Sequence, residues 1–354
     1  MTDFRNTPVT RPVFSLPTDR LQRPLRDLRI SVTDRCNLRC TYCMPREVFG
    51  RDFAFLPRSE VLSFEEIERV ARLFVELGVR KIRLSGGEPL MRHEVERLVE
   101  KLARIEDANG QPIEIALTTN GTLLARKAQA LKDAGLSRLT VSLDSLSEET
   151  FRRMADTRES VTTVLEGIAA AQTAGFSPIK INMVVKRGVN EHEILPVLDH
   201  FRDTGIIVRF IEYMDVGTTN GWRMDDVVSA REILAMIEQL YPLVAIDPNY
   251  PGEVAKRWCF KDGHSEIGVI ASVTQAFCQD CSRIRLSTDG KLYTCLFAIR
   301  GTDLRAPLRR GENDAVLSKL IVDTWTQRAD RYSQIRHDAT LRPGKKIEMS
   351  YIGG

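Results

Sequence analysis

LRISVTDRCNLRCTYC, residues 28–43, decides the fold. Its first half, residues 28–33, is rich in β-branched side chains and reads as a strand. The second half carries Cys36, Cys40 and Cys43 on a long loop just beyond the strand's carboxyl end, where parallel βα folds build their sites. Beyond the loop, Ser63 and Glu66 form a capping box, and Ile67, Val70, Ala71 and Phe74 make one apolar helical face closed by Gly78. Further strand signals fall at residues 81–84, 113–118, 138–143, 179–185 and 207–213, each separated from the next by a helical stretch. An eight-stranded barrel needs two more units, yet after Met214 the rhythm breaks at Gly217 to Gly221. The expected fold is therefore an incomplete (βα)6-type TIM barrel, α/β in class, over residues 23–250.

Residues 251–354 read as a C-terminal extension. Asp289-Gly290 marks a turn between strands at 283–287 and 291–295, a helix is expected at 313–328, and a basic stretch ends in Gly353-Gly354. Residues 1–22 are expected to be a flexible tail.

The 354 residues are 43% hydrophobic and 28% charged, which allows a sizeable core and excludes intrinsic disorder and collagen. Lysine and arginine number 51 against 48 acids, a net charge of +3, so no broad basic field exists for nucleic acid or anionic membrane. Any anion site must be local. With no apolar run long enough to span a bilayer and no signal-peptide core in residues 1–22, the expectation is a soluble, cytoplasmic protein. Seven cysteines, an odd number, fit reduced thiols kept as ligands or nucleophiles better than a disulfide framework.

Cys36-x3-Cys40-x2-Cys43 puts three thiols on one loop. A structural zinc takes four protein ligands, and the loop offers no fourth. A 4Fe-4S cluster on three cysteines leaves one iron free to bind a small molecule. This spacing, with Tyr42 before the third cysteine, resembles the motif of the radical S-adenosylmethionine (SAM) superfamily, and Ser85-Gly86-Gly87-Glu88-Pro89 resembles its GGEP segment. The resemblance implies that the open iron chelates the methionyl group of SAM and that electron transfer cleaves SAM to a 5′-deoxyadenosyl radical. It also implies that Gly87 lies against the methionyl group and that Tyr42, Ser142 and Met214 contact the ribose and adenine.

Cys278-x2-Cys281-x13-Cys295 forms a second trio in the hairpin region. On spacing alone two readings stay open. Cys259 or His264 could complete a structural zinc site, or the three could hold a second iron-sulfur cluster. Arg283 and Arg285, two apart on a strand, leave one face together while Ile284 points away, and such a pair can clamp phosphates.

From Arg23 to Gly354 the chain resembles the GTP 3′,8-cyclase family of molybdenum cofactor biosynthesis, through DLRISVTDRC, CNLRCTYCMP, KIRLSGGEPL, LTTNG, FIEYMDVG and CQDCSRIRLSTDGKLYTCLF. The resemblance implies a second 4Fe-4S cluster on Cys278, Cys281 and Cys295 that receives the guanine of GTP, with Cys259 a buried thiol outside it. It assigns Arg29, Arg83, Thr118, Lys180, Arg283, Ile284 and Arg285 to GTP, and Arg283, Arg285, Gly353 and Gly354 to catalysis. The implied reaction is cyclisation of GTP to (8S)-3′,8-cyclo-7,8-dihydroguanosine 5′-triphosphate. The implied partners are an electron donor and a downstream pterin-forming enzyme, and the chain is expected as monomer or homodimer. The competing functions are a radical SAM peptide maturase with an auxiliary cluster and, in another class, a zinc-binding nucleic-acid or scaffold module.

Overall fold

The computed structural model describes residues 16–263, 265–336 and 346–354. The six expected strands are present in order: β1 (Asp27–Ser31), β2 (Lys81–Ser85), β3 (Glu114–Thr119), β4 (Arg138–Ser142), β5 (Lys180–Val185) and β6 (Ile207–Glu212). They are consecutive and parallel, each joined to its neighbour by hydrogen bonds. Helices return the chain between them: α1 (Phe64–Glu76), α2 (Val95–Ala103), α3 (Leu124–Asp133), α4 (Glu148–Ala155), α5 (Val161–Thr173) and α6 (Ile194–Phe201). The capping box of Ser63 and Glu66 forms as expected, and Ile67, Val70, Ala71 and Phe74 are buried on one face of α1.

The C-terminal region is built onto both edges of this same sheet. After α7 (Ala230–Glu238), strands β7 (Leu243–Ile246), β8 (Lys256–Phe260) and β9 (Glu266–Ile270) follow, and β9 pairs parallel to β6. Then β10 (Arg283–Leu286) pairs parallel to β1, with β11 (Lys291–Tyr293) and β12 (Thr302–Asp303) antiparallel beyond it. The hairpin at Asp289-Gly290 is β10–β11, and Gly290 adopts the positive φ of +80° that its turn requires. No pairing joins β9 to β10 among the described residues, so the sheet curls without closing. The expected helix at 313–328 is Asp314–Thr326, with Asn313 as its cap.

Two expectations need correction. Residues 16–22 are not a loose tail: Asp19 is 2% exposed and bonds to Arg23 and Arg328, because two buried guanidinium groups need its carboxylate. Residues 1–15 of the expected tail lie outside the described residues. Cys259 is half-buried rather than buried, since β8 is near the sheet edge, opposite Val244 of β7.

Alternation gives the barrel strands two different faces. Leu28, Ile30, Ile82, Leu84, Ile284 and Leu286 are fully buried in the hydrophobic core against the helices. The residues between them face a chamber on the other side of the sheet.

Candidate active site

The chamber has a volume of about 330 Å³ and is lined by both cysteine trios together with Arg29, Arg83, Thr118, Ser142, Lys180, Met214, Arg283, Arg285 and Gly354. These residues come from eight separated segments of the chain. Tyr42 and Gly87 also line it, while Gly353 packs beside it against Ser85. Ile284 does not: its side chain is in the core, so its expected role in holding substrate reduces to carrying its two arginine neighbours.

Strand register arranges the charges of the chamber in rows. One row runs Arg283, Asp27, Lys81, Glu114 across β10, β1, β2 and β3, and its signs alternate. The next row runs Arg285, Arg29, Arg83, Ala116, three guanidinium groups abreast with no acid among them. Like charges directly opposite destabilise a sheet, so this row needs an anion. Burial, then mutual repulsion with Arg285, Arg283 and Arg83, holds Arg29 well below the usual arginine range. Burial and Arg283 likewise hold Arg285 down to about 10. Further round the wall, burial and Arg83 bring Arg209 to about 9, and burial with Arg209 brings Lys180 to about 8. Arg83 donates to Thr118 Oγ1 at 2.9 Å and Thr140 Oγ1 at 3.3 Å. Arg285 Nη1, Arg209 Nε, Asn182 Oδ1 and Ser85 Oγ are buried and without a hydrogen-bond partner. The orphaned donors among them, Arg285 Nη1, Arg209 Nε and Ser85 Oγ, suit a bound polyanion on this cationic wall.

At one side of the chamber lies the loop after β1. Two backbone bonds tie it to the Gly-Gly segment after β2: Gly87 N–H donates to Thr33 O and Glu88 N–H to Arg35 O, both at 2.8 Å. A Cβ on Gly86 or Gly87 would collide with those same carbonyls, so both glycines serve this close approach. Glu88 is pushed up to about 7 by burial, against bonds from Asn120 N, Leu90 N and Thr119 Oγ1. The Tyr42 hydroxyl donates to Asp144 Oδ2 at 2.7 Å, and Val184 N donates to Asp144 Oδ1 at 2.8 Å, which fixes the ring at the chamber wall.

Burial pushes the Cys36 thiol up to about 11, and raises Cys40 and Cys43 well above the ordinary thiol range. Such thiols become thiolates only beside strong positive charge, which a metal centre provides. Among the described residues no three histidine, cysteine or acidic side chains converge as the ligands of one ion do. Three thiols on one loop fit a cubane cluster, which takes three cysteines and leaves one iron corner open. In the second trio burial would raise Cys281, but Arg283 and Arg328 pull it down to about 6, while burial and Asp330 push Cys295 up to about 12. Cys259 does not line the chamber; its Sγ lies 3.3 Å from the Phe260 carbonyl. The alternative fourth ligand His264 lies outside the described residues.

Residues 346–354 enter the chamber from the loop after β6. Lys346 Nζ donates to Asp215 Oδ2 at 2.7 Å, and Glu348 accepts from Thr218 N and Oγ1 at 2.9 Å and from Thr219 Oγ1 at 3.0 Å. The short helix α8 (Arg305–Arg309) and α9 (Asp314–Thr326) precede this segment, as does α10 (Tyr332–Ile335). A final turn, α11 (Met349–Ile352), then brings Met349 and Gly354 into the lining. Sequence reasoning missed Arg209, although a charged residue inside a buried parallel strand is itself a signal. It also missed Asp19 and Arg328, whose pairing spans about three hundred residues and leaves no local pattern.

Comparison with known proteins agrees with this geometry. Residues 30–201 match the family model described as Radical SAM superfamily, and residues 206–334 match Molybdenum Cofactor Synthesis C. A GTP 3′,8-cyclase from Acidothermus cellulolyticus is 54% identical, covering 95% of this chain and 98% of that protein. One from Xanthomonas axonopodis pv. citri is 51% identical with the same coverage. The crystal structure of Streptococcus suis SuiB bound to S-adenosylmethionine has a TM-score of 0.61 at 15% identity, covering 89% of this chain and 68% of that one, a likeness of fold. No helix among the described residues is long and apolar enough to cross a membrane. With the thiol loop, the arginine row and these relatives together, the chain belongs to the GTP 3′,8-cyclase family of the radical SAM superfamily.

Proposed function

We propose that this enzyme cyclises GTP to (8S)-3′,8-cyclo-7,8-dihydroguanosine 5′-triphosphate, an early step of molybdenum cofactor biosynthesis. The observation that carries the reading is the row Arg285, Arg29, Arg83, one buried and two half-buried cations abreast with no acid in the row, inside the chamber that both cysteine trios line. Cys36, Cys40 and Cys43 would hold the 4Fe-4S cluster of the superfamily, and Cys278, Cys281 and Cys295 a second one. When bound, the first cluster and SAM would supply abstraction of a hydrogen atom from ribose C3′, and closure of C3′ onto guanine C8 would then take one electron, from the external donor, and one proton to reach the 7,8-dihydro product.

The residues of the chain provide the setting. The arginine row and Arg209 bind the triphosphate with bidentate guanidinium contacts, Lys180 adds a point charge beside them, and together they fix the ribose at one depth. Tyr42, held by Asp144, with Ser142 and Met214 forms the wall for the SAM nucleoside. The 346–354 segment narrows the mouth and excludes water and oxygen from reactive species. An external electron donor and a pterin-forming enzyme that consumes the product belong to the same reading.

Anaerobic protein reconstituted with iron and sulfide should form 5′-deoxyadenosine from SAM and reductant many times faster with GTP than in the slow, uncoupled reaction without it. No GTP dependence, or turnover with peptides instead, rejects the proposal. Two further outcomes are expected. Because free Lys180 loses its charge near pH 8, GTP affinity should weaken as pH rises through about 8, read as Kd by equilibrium binding. Gly353 has φ +75°, and a Cβ there would strike Ser85 Oγ. Gly353→Ala should therefore displace the buried end of α11 and lower kcat while iron content stays at the wild-type value, since no cysteine is among the contacts of Gly353.

A further inference from the structure

A buried group of three charged residues stands against the second cysteine trio, and two of them, Arg23 and Arg328, also line the chamber. Asp19 Oδ2 lies 2.6 Å from Arg23 Nε and 3.2 Å from Arg328 Nη1, and all three residues are at most 4% exposed. Asp19 Oδ1 also accepts from the backbone N–H of Leu21 at 2.9 Å and of Arg23 at 3.0 Å, which fixes the carboxylate.

Both arginines then grip the cysteine loop. Arg23 Nη1 donates to the Cys278 carbonyl at 2.6 Å, and Arg328 Nη1 donates to the Cys281 carbonyl at 2.6 Å. Arg328 Nη2 reaches the sulfur of Cys281 itself, at 3.1 Å. Arg23 Nη2 and Arg328 Nε, both buried, have no hydrogen-bond partner. One carboxylate faces two guanidinium groups, so the brace carries excess positive charge against the trio. Asp330 adds an acid nearby, 3.7 Å from Arg328 Nε, but its side chain is 34% exposed and also accepts from Thr294 Oγ1.

From this geometry we infer that Arg328, oriented by Asp19 and Arg23, is a positioning residue that sets the reduction potential of the second iron-sulfur cluster. The inference rests on the two-cluster reading above. A cluster on three thiolates becomes more negative by one charge when it takes up an electron. A fixed buried cation and a hydrogen bond to sulfur favour that reduced form and raise the potential. Arg283 also donates to Cys281 Sγ, at 3.3 Å, and both arginines line the chamber, but Arg328 is the one that the Asp19 carboxylate holds. The Asp19 and Arg23 contacts also give residues 16–26 a function that no local motif announced.

The test uses the full-length chain with Cys36, Cys40 and Cys43 replaced by alanine, reconstituted with iron and sulfide, so that only the second cluster reports. An EPR-monitored titration with dithionite gives its one-electron midpoint. Arg328→Gln should lower the ratio of reduced to oxidised cluster about tenfold at a fixed potential, the loss of one charge-assisted bond, which for one electron is about 59 mV. Arg328→Lys should recover part of the shift. Asp19→Asn removes the opposing charge and should move the midpoint the other way, a sign reversal that loosened packing does not produce. If the chain binds no iron, the two-cluster reading falls and the inference with it. If iron binds and the midpoints of Arg328→Gln and Asp19→Asn equal that of the parent, or both fall together, the inference alone is overturned.

Discussion

Arg285→Ala is expected to lower kcat/KM for GTP about a thousandfold while SAM cleavage by the reduced enzyme survives. Arg285 sits in the row with no acid, in register with Arg29, and its Nη1 is buried without a partner. A charge-assisted hydrogen bond is worth about 2 kcal/mol, so loss of a bidentate pair removes about 4 kcal/mol of binding realised at the triphosphate. Arg283 is two residues away on the same face, and the register gives it a different surrounding. It lies opposite Asp27 and donates to Cys281 Sγ at 3.3 Å. Arg283→Ala should therefore lower GTP affinity less than Arg285→Ala does and disturb the second cluster more. Steady-state kinetics with GTP, together with iron content of each variant, separate the two. Equal losses of GTP affinity in both variants would show that the alternation of rows has no energetic meaning.

Cys278→Ala is expected to keep about half of the iron and sulfide of the wild-type protein, about four irons in place of about eight. The trios occupy different elements: the first follows β1, the second frames the β10–β11 hairpin, and no cysteine is shared between them. The first cluster should then still cleave SAM at a low rate uncoupled from GTP. Cys36→Ala should give the mirror result, half the iron and no SAM cleavage at all. Retention of all the iron in Cys278→Ala would remove the second cluster from the account, and loss of all of it would mean that the sites assemble as one.

The six barrel strands were legible because parallel strands covered by helices are apolar over short runs, and the breaks between them carry caps and glycines. The chemistry was legible at the thiols, whose spacing is local, and at Arg283 and Arg285, whose spacing is the strand period. What was not legible depends on register. No single segment reveals that Arg285, Arg29 and Arg83 stand abreast, since they come from strands 54 to 256 residues apart in the chain. The same holds for β9 and β10, which add to opposite edges of the sheet. The anchoring of Glu348 on Thr218 and Thr219 escaped for the same reason, as both partners look like ordinary polar loop residues. Asp19 was misjudged because a polar, proline-containing stretch reads as loose until its buried partners are known.

The claim on which the account stands is that hydrogen leaves ribose C3′ of a GTP molecule seated on the arginine row. Incubating the anaerobic, reconstituted enzyme with SAM, reductant and GTP deuterated at C3′, followed by mass spectrometry of the 5′-deoxyadenosine formed, reads this atom directly. One deuterium per 5′-deoxyadenosine is the predicted result. 5′-Deoxyadenosine that forms with GTP present but carries no deuterium would contradict it.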